Sequence, residues 1–232
     1  AEDIIVASTG VIGQVLPIEP IANGMKSLAE GLTYDGNDRA LEAIMTTDTM
    51  PKEVAVKFRL GGVTCTMGGM LKGSGMIHPN MATTLTFITT DADISAELLQ
   101  RALSDIVKVT LNRASVDGDT STNDMVCVLA SGSAGNKTVC LEDEDFEEFE
   151  TALYAIMMNL ARKMARDGEG ATKLIECSVS GAETEKIAET VAKSVICSSL
   201  FKAAMFGEDA NWGRILCAVG YADADFDINK VD

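Results

Sequence analysis

The chain has 232 residues, 47% hydrophobic and 23% charged, which are globular proportions with ample material for a buried core. Its 35 acidic and 19 basic residues leave a formal charge of −16, which argues against the basic surface needed for nucleic acid or an anionic bilayer. No apolar run approaches the ~20 residues that cross a bilayer. The opening AEDIIVASTG has no basic start of a secretory signal and no initiator Met, so a processed chain or a segment of a longer one is expected.

In chain order, Asp3–Ser8 reads as a short buried strand ending in Thr9-Gly10. Ala22–Leu32 and Asp38–Met45 read as helices. Val54–Arg59 and Val63–Met67 alternate as strands, and Gly61-Gly62 suits the turn between them. Thr84–Thr90 is strand-like. Ser95 caps a helix to about Arg113, with Leu98, Leu99, Leu103, Ile106 and Val107 on one face. Met125–Ala130 is a buried strand. The acidic run Glu142–Glu148 opens a long helix ending near Arg166, with Lys163 and Arg166 suited to its C-terminal dipole and Gly168 as its stop. Leu174–Ser180 reads as a strand, Glu183–Ile196 as a helix and Ile215–Tyr221 as a strand. Strands with long helices outside them predict a layered α/β (α+β) fold.

The six cysteines are scattered without a CxxC pair, mostly in apolar stretches, and read as reduced core residues. His78 is the lone histidine, without the neighbouring ligands of a zinc site. Any acyl-transfer chemistry must therefore depend on His78 or use another base.

Three segments offer chemistry. In Ala7–Gly13, Thr9-Gly10 at a strand end supplies a hydroxyl and an unhindered N–H, which together stabilise an oxyanion; a plain turn is the simpler reading. In Gly68–Thr84, glycines surround Lys72 and predict loose backbone, without the spacing of a phosphate loop. Ala82-Thr83 then precedes a strand. A threonine hydroxyl there can attack the preceding carbonyl, move the acyl group from nitrogen to oxygen, and release a new N-terminal threonine. Its α-amine, at about 7.7–8.0 when unperturbed, is a base suited to neutral pH and needs no histidine. Taken alone, Ala-Thr is a common dipeptide and Thr favours strands. The third segment, Gly207–Arg214, holds the only tryptophan; a packing corner and a substrate-facing turn stand level. Asp117–Asp124 and Asp167–Lys173 read as solvated loops.

Six segments in order, STGVIG (8–13), MTTDTMPK (45–52), KGSGMIHPNMAT (72–83), SVDGDTSTND (115–124), DGEGATK (167–173) and FGEDANWGR (206–214), resemble the ornithine acetyltransferase family, the bifunctional glutamate N-acetyltransferases of arginine biosynthesis. The resemblance implies a self-processing fold of N-terminal-nucleophile type, grouped with aminopeptidase-like amidases. Residues 1–82 would be the C-terminal part of an α chain and 83–232 the N-terminal part of a β chain, in one contiguous catalytic fold. The resemblance implies Thr83 as nucleophile, cleavage between Ala82 and Thr83, Thr9 and Gly10 as oxyanion hole, and Thr46, Lys72, Thr83 and Glu169 as substrate contacts. It implies a ping-pong transfer in which Thr83 takes acetyl from N2-acetylornithine and passes it to glutamate. No cofactor or metal is implied, and acetyl-CoA is a further donor in some members. An α2β2 assembly, no nucleic acid, no membrane, and a cytoplasmic (or, in a eukaryote, mitochondrial matrix) location complete the expectation. Family members extend further at both ends, and many carry Met where Thr84 stands. Asp119, Asn123 and Asp124 default to a structural loop. A self-processing amidase or aminopeptidase, passing acyl to water, and an inert binding or assembly module are the competing readings.

Overall fold

The computed structural model describes residues 4–78 and 84–232. The predicted cleavage pair Ala82 and Thr83 falls outside the described residues.

The centre is a four-stranded sheet in the order β1 (Lys52–Leu60), β2 (Val63–Lys72), β3 (Leu85–Thr90), β4 (Met125–Ala130). The first two strands form a hairpin across Gly61 (φ +54°) and Gly62 (φ +86°), both in the left-handed region that glycine enters without strain. β3 runs antiparallel to β2, and β4 runs parallel to β3. Along β1 the side chains at 52, 54, 56, 58 and 60 turn inward, while Glu53, Lys57 and Arg59 face water. One wet face and one packed face is the usual state of an antiparallel pair.

α4 (Glu144–Arg166) covers the inward face. Phe146, Phe149, Leu153, Ile156, Met157, Leu160 and Met164 recur at helical spacing and are all buried. The Asp143 carboxylate caps this helix by accepting from the Phe146 N–H, and Lys163 and Arg166 fall in its last turn as predicted. Phe149 meets Phe58 edge-to-face with ring centroids 6.0 Å apart. α3 (Ala96–Val109), capped by Ser95, packs beside it through Leu98, Ala102, Ile106 and Val107. The predicted helix to Arg113 ends earlier because Thr110 leaves helical geometry, and Leu111–Arg113 tightens into a 3-10 turn.

A second, smaller apolar cluster joins α5 (Glu185–Cys197), α6 (Ser199–Phe206) and α7 (Trp212–Gly220) around Val191, Val195, Phe201, Ala218 and Val219. Toward the N-terminus, α1 (Glu19–Glu30) has no buried residue and α2 (Asn37–Ile44) buries Leu41. Among the described residues no helix is long and apolar enough to cross a membrane.

Several expectations are corrected. Residues 4–8 of the Asp3–Ser8 segment form no strand; Ile4, Ile5 and Val6 are exposed and, among the described residues, no neighbouring strand takes up their backbone. Leu174–Ser180 keeps its alternation, with Ile175, Cys177 and Val179 half-buried against the second cluster, but pairs with no strand among the described residues. Ile215–Gly220 is helical, because the Asn211 side chain caps α7 by accepting from the Arg214 N–H at 3.1 Å. α6 was not anticipated; its start is set by the Ser198 hydroxyl accepting from the Phe201 N–H. Trp212 is 72% exposed at the start of α7, which removes the packing-corner reading. Only Cys65 and Cys127 are buried, while Cys140 and Cys217 are exposed; all six are free thiols. The glycines before Lys72 are not loose backbone. Gly68 and Gly69 belong to β2, and a methyl group on Gly69 would fall 2.9 Å from Ile156 Cγ2, so this glycine lets α4 approach the sheet.

Candidate active site at the head of the sheet

Strand register gathers the site. Lys72 is the ladder partner of Leu85, and Leu85 pairs on its other side with Met125. The end of β2 and the starts of β3 and β4 therefore share one edge of the sheet. Thr84 anchors that edge. It is buried, its hydroxyl bonds that of Thr86 at 2.8 Å, and its carbonyl accepts from the Met125 N–H at 2.8 Å. On the other flank of residues 79–83, the Ile77 carbonyl accepts from the Val116 N–H (2.7 Å) and the Ile77 N–H donates to Asp117 Oδ1 (3.0 Å). The Asp117–Asp124 segment is thus tied to the sheet edge and is not only a solvated loop.

Three of the residues nominated from the sequence meet near this edge or are tied to it. The Lys72 ammonium reaches Thr46 Oγ1 at 3.4 Å. Glu169, beyond the end of α4, donates its N–H to the Ser74 carbonyl at 2.8 Å. Its carboxylate lies over Gly75 so closely that a methyl group there would sit 2.6 Å from Cδ and Oε1. Gly75 is therefore a cradle for that carboxylate. Between Gly75 and Ile77, Met76 holds φ +53°, an uncommon conformation for a side chain of its size and a local strain at this turn. Thr9 and Gly10 are exposed and, among the described residues, are not brought to this group; a methyl on Gly10 would sit 4.0 Å from Leu16 Cδ1.

Asp124 immediately precedes β4. Burial pushes its carboxyl up to about 6, against a hydrogen bond from Ser121 and the nearby charge of Lys72, which pull it down. A half-buried carboxyl pushed up to about 6 by burial, with the Lys72 charge nearby, is a feature the sequence left open. His78 Nδ1 lies 3.1 Å from Ser115 Oγ and 3.8 Å from Cys197 Sγ. Among the described residues no carboxylate hydrogen-bonds the ring, so no Ser-His-Asp arrangement is built on it.

Beneath the edge lies a group that sequence reasoning missed. Lys52 is fully buried, with Nζ 2.6 Å from Asp48 Oδ1 and 2.5 Å from Asp167 Oδ2. Burial alone would raise the Asp48 carboxyl; hydrogen bonds from Lys52, Gly73 and Thr46 and the Lys52 charge outweigh it and hold the group below its ordinary 3.8. Asp167 follows the same pattern, with burial outweighed by Lys52 and by the Thr49 hydroxyl and N–H. A signal was present: Lys52 shares the parity of Val54, Val56, Phe58 and Leu60, so a lysine stands at a core-facing position of a strand.

A cleft of 750 Å³ between α4 and α5 contains Glu169 in its lining but not Thr46 or Lys72. The sheet edge, where opposite charges and hydroxyls converge, is the better chemical candidate.

Sheet, covering helices and this edge define a layered α/β chain. The sequence profile described as the ArgJ family matches residues 1–232, and the chain belongs to that family. It is 53% identical over 227 residues to the arginine biosynthesis bifunctional protein ArgJ of Symbiobacterium thermophilum, covering 98% of this chain and 56% of that protein. It is 54% identical over 228 residues to the protein of the same description from Staphylococcus epidermidis, with the same shares covered. The crystal structure of the arginine biosynthesis bifunctional protein from Bacillus halodurans matches with TM-score 0.59 and 53% identity, over 61% of this chain and 66% of that one. The chain thus spans about half the length of the curated relatives it matches.

Proposed function

We propose that the chain carries the self-processing and acetyl-transfer centre of a glutamate N-acetyltransferase acting in arginine biosynthesis. The observation that carries this reading is the shared sheet edge. Lys72 ladders with Leu85, two residues after Thr83, and Lys72 contacts Thr46. Processing begins when the Thr83 hydroxyl attacks the Ala82 carbonyl. The C–N bond breaks, the acyl group moves to oxygen, and the former peptide nitrogen becomes the Thr83 amine. Water then cleaves the ester. The freed amine takes the Thr83 hydroxyl proton as that oxygen attacks the acetyl carbonyl of N2-acetylornithine. Collapse of the tetrahedral adduct returns the proton to the leaving nitrogen and releases ornithine. The α-amine of glutamate attacks the acetyl ester and leaves as N-acetylglutamate. Lys72 suits the substrate carboxylate and Glu169 the ammonium group, by charge. Thr9 and Gly10 are assigned to the oxyanion from the family resemblance. On the same basis we assign residues 1–82 and 83–232 to the two fragments of one fold, an α2β2 assembly and a cytoplasmic location.

Denaturing electrophoresis with N-terminal sequencing tests the first half. Two fragments are expected, the second opening Thr83-Thr84-Leu85, and Thr83→Ala should leave one uncleaved band without transferase activity. Incubation with N2-acetylornithine, with and without glutamate, tests the second half. Ornithine release that does not depend on glutamate, with free acetate formed, would instead support an amidase. An intact, inactive wild-type chain would support a binding module.

A further inference from the structure

We propose that Lys52 is a positioning residue: through Asp48 and Asp167 it sets the spacing of the three amino-acid handles Thr46, Lys72 and Glu169. The assignment rests on the acetyltransferase reading of the same site.

Each handle is one short step from the buried ammonium. The Asp48 carboxylate accepts from the Thr46 N–H (3.1 Å) through Oδ2 and from the Gly73 N–H (2.8 Å) through Oδ1. Gly73 directly follows Lys72, so one carboxylate holds the backbone of both residues. Asp167 ends α4, two residues before Glu169, and accepts from the Thr49 N–H (3.1 Å) and the Thr49 hydroxyl. A bond between the Thr47 and Ser74 hydroxyls, at 2.7 Å, closes the ring between the same segments. The loop 46–49, the end of β2 and the end of α4 come from distant parts of the chain. They meet at one cation with 0% side-chain exposure.

The charge count suits this role better than a purely stabilising one. Two carboxylates surround one ammonium, and backbone N–H groups and a hydroxyl offset the surplus negative charge. A buried ion cluster is a weak way to gain stability, because desolvation consumes most of the attraction and an apolar core does as well. Its fixed hydrogen-bond directions instead set geometry, which matters where a displacement of about 1 Å costs up to ~100-fold in rate.

The test uses Asp48→Asn, Lys52→Met and Lys52→Arg in the full chain, with two readouts. Amide hydrogen exchange should rise together at Thr46, Thr49, Gly73 and Glu169 in the first two variants and stay near wild type in the core of α4. Steady-state kinetics should show KM for N2-acetylornithine and for glutamate raised roughly 10-fold, with kcat within about 3-fold and self-cleavage retained. Lys52→Arg, which keeps the charge, should reverse part of that rise in KM. If Lys52→Met fails to fold, the folded Asp48→Asn and Lys52→Arg decide. Looser exchange or a lowered Tm with KM unchanged means the cluster is merely structural and overturns the proposal, as does unchanged exchange. A wild-type chain without transferase activity overturns the functional reading itself, an outcome distinct from active variants with wild-type KM.

Discussion

Gly75→Ala probes the site with one methyl group. The new Cβ would fall 2.6 Å from Glu169 Cδ and Oε1 and 2.8 Å from Oε2, so the carboxylate must withdraw by about 0.8 Å to reach ordinary contact. The fold should tolerate this. The displaced atoms end a flexible side chain, Gly75 is not among the positive-φ glycines, and the Glu169 backbone stays tied to Ser74. Loss of chain freedom in the unfolded state gives back ~0.4–1 kcal/mol. The ligand bears the main cost. A hydrogen bond to a charged group contributes ~1.5–3 kcal/mol, so misplacing the carboxylate should raise KM roughly 10- to 100-fold at ~1.4 kcal/mol per decade. The assay is steady-state transfer from N2-acetylornithine beside thermal melts, repeated in a Glu169→Gln background. If the alanine acts through Glu169, its effect should shrink sharply there, a non-additivity expected of touching residues. A KM unchanged in the folded single variant, or an effect that persists in full in the Glu169→Gln background, would refute the reasoning.

Two further predictions follow from packing and charge. Asp124 holds its proton to about pH 6 in the folded protein but loses it near 3.8 when unfolded, so the folded state binds more protons in that window. Its contribution is complete below 3.8 and is lost as pH rises through about 6. Urea melts at pH 4 and pH 7 should therefore show Asp124→Asn gaining stability relative to wild type at the higher pH; an equal difference at both would refute the assignment. Gly69→Ala would set a methyl 2.9 Å from Ile156 Cγ2 and 3.2 Å from both Ile88 Cγ1 and Leu160 Cδ1. Overpacking of this kind costs ~1–3 kcal/mol, which should lower Tm by a few degrees or more in a chain this size; an unchanged Tm in calorimetry would show that α4 rides outward freely.

Local signals were legible in the sequence because their partners lie a few residues away. Ser95 accepts from Leu98 and Asp143 from Phe146, each three residues on, and the Gly61-Gly62 turn joins adjacent strands. The spacing of Phe146, Phe149, Leu153 and Ile156 marks the buried face of α4 by itself. Six ordered motifs likewise carried the family. Tertiary structure decided whatever depended on a distant partner. Leu174–Ser180 reads as a strand and does alternate in burial, yet a strand exists only where a neighbour takes its hydrogen bonds. The apolar run Ile215–Gly220 suits either helix or strand, and the Asn211 cap chose helix. Lys52 and Asp167 stand 115 positions apart, and the Thr49 hydroxyl reaches the same carboxylate across 118. No local propensity encodes such a meeting; it exists because the sheet, α4 and the loop before β1 close over one another and exclude water from the charge they share.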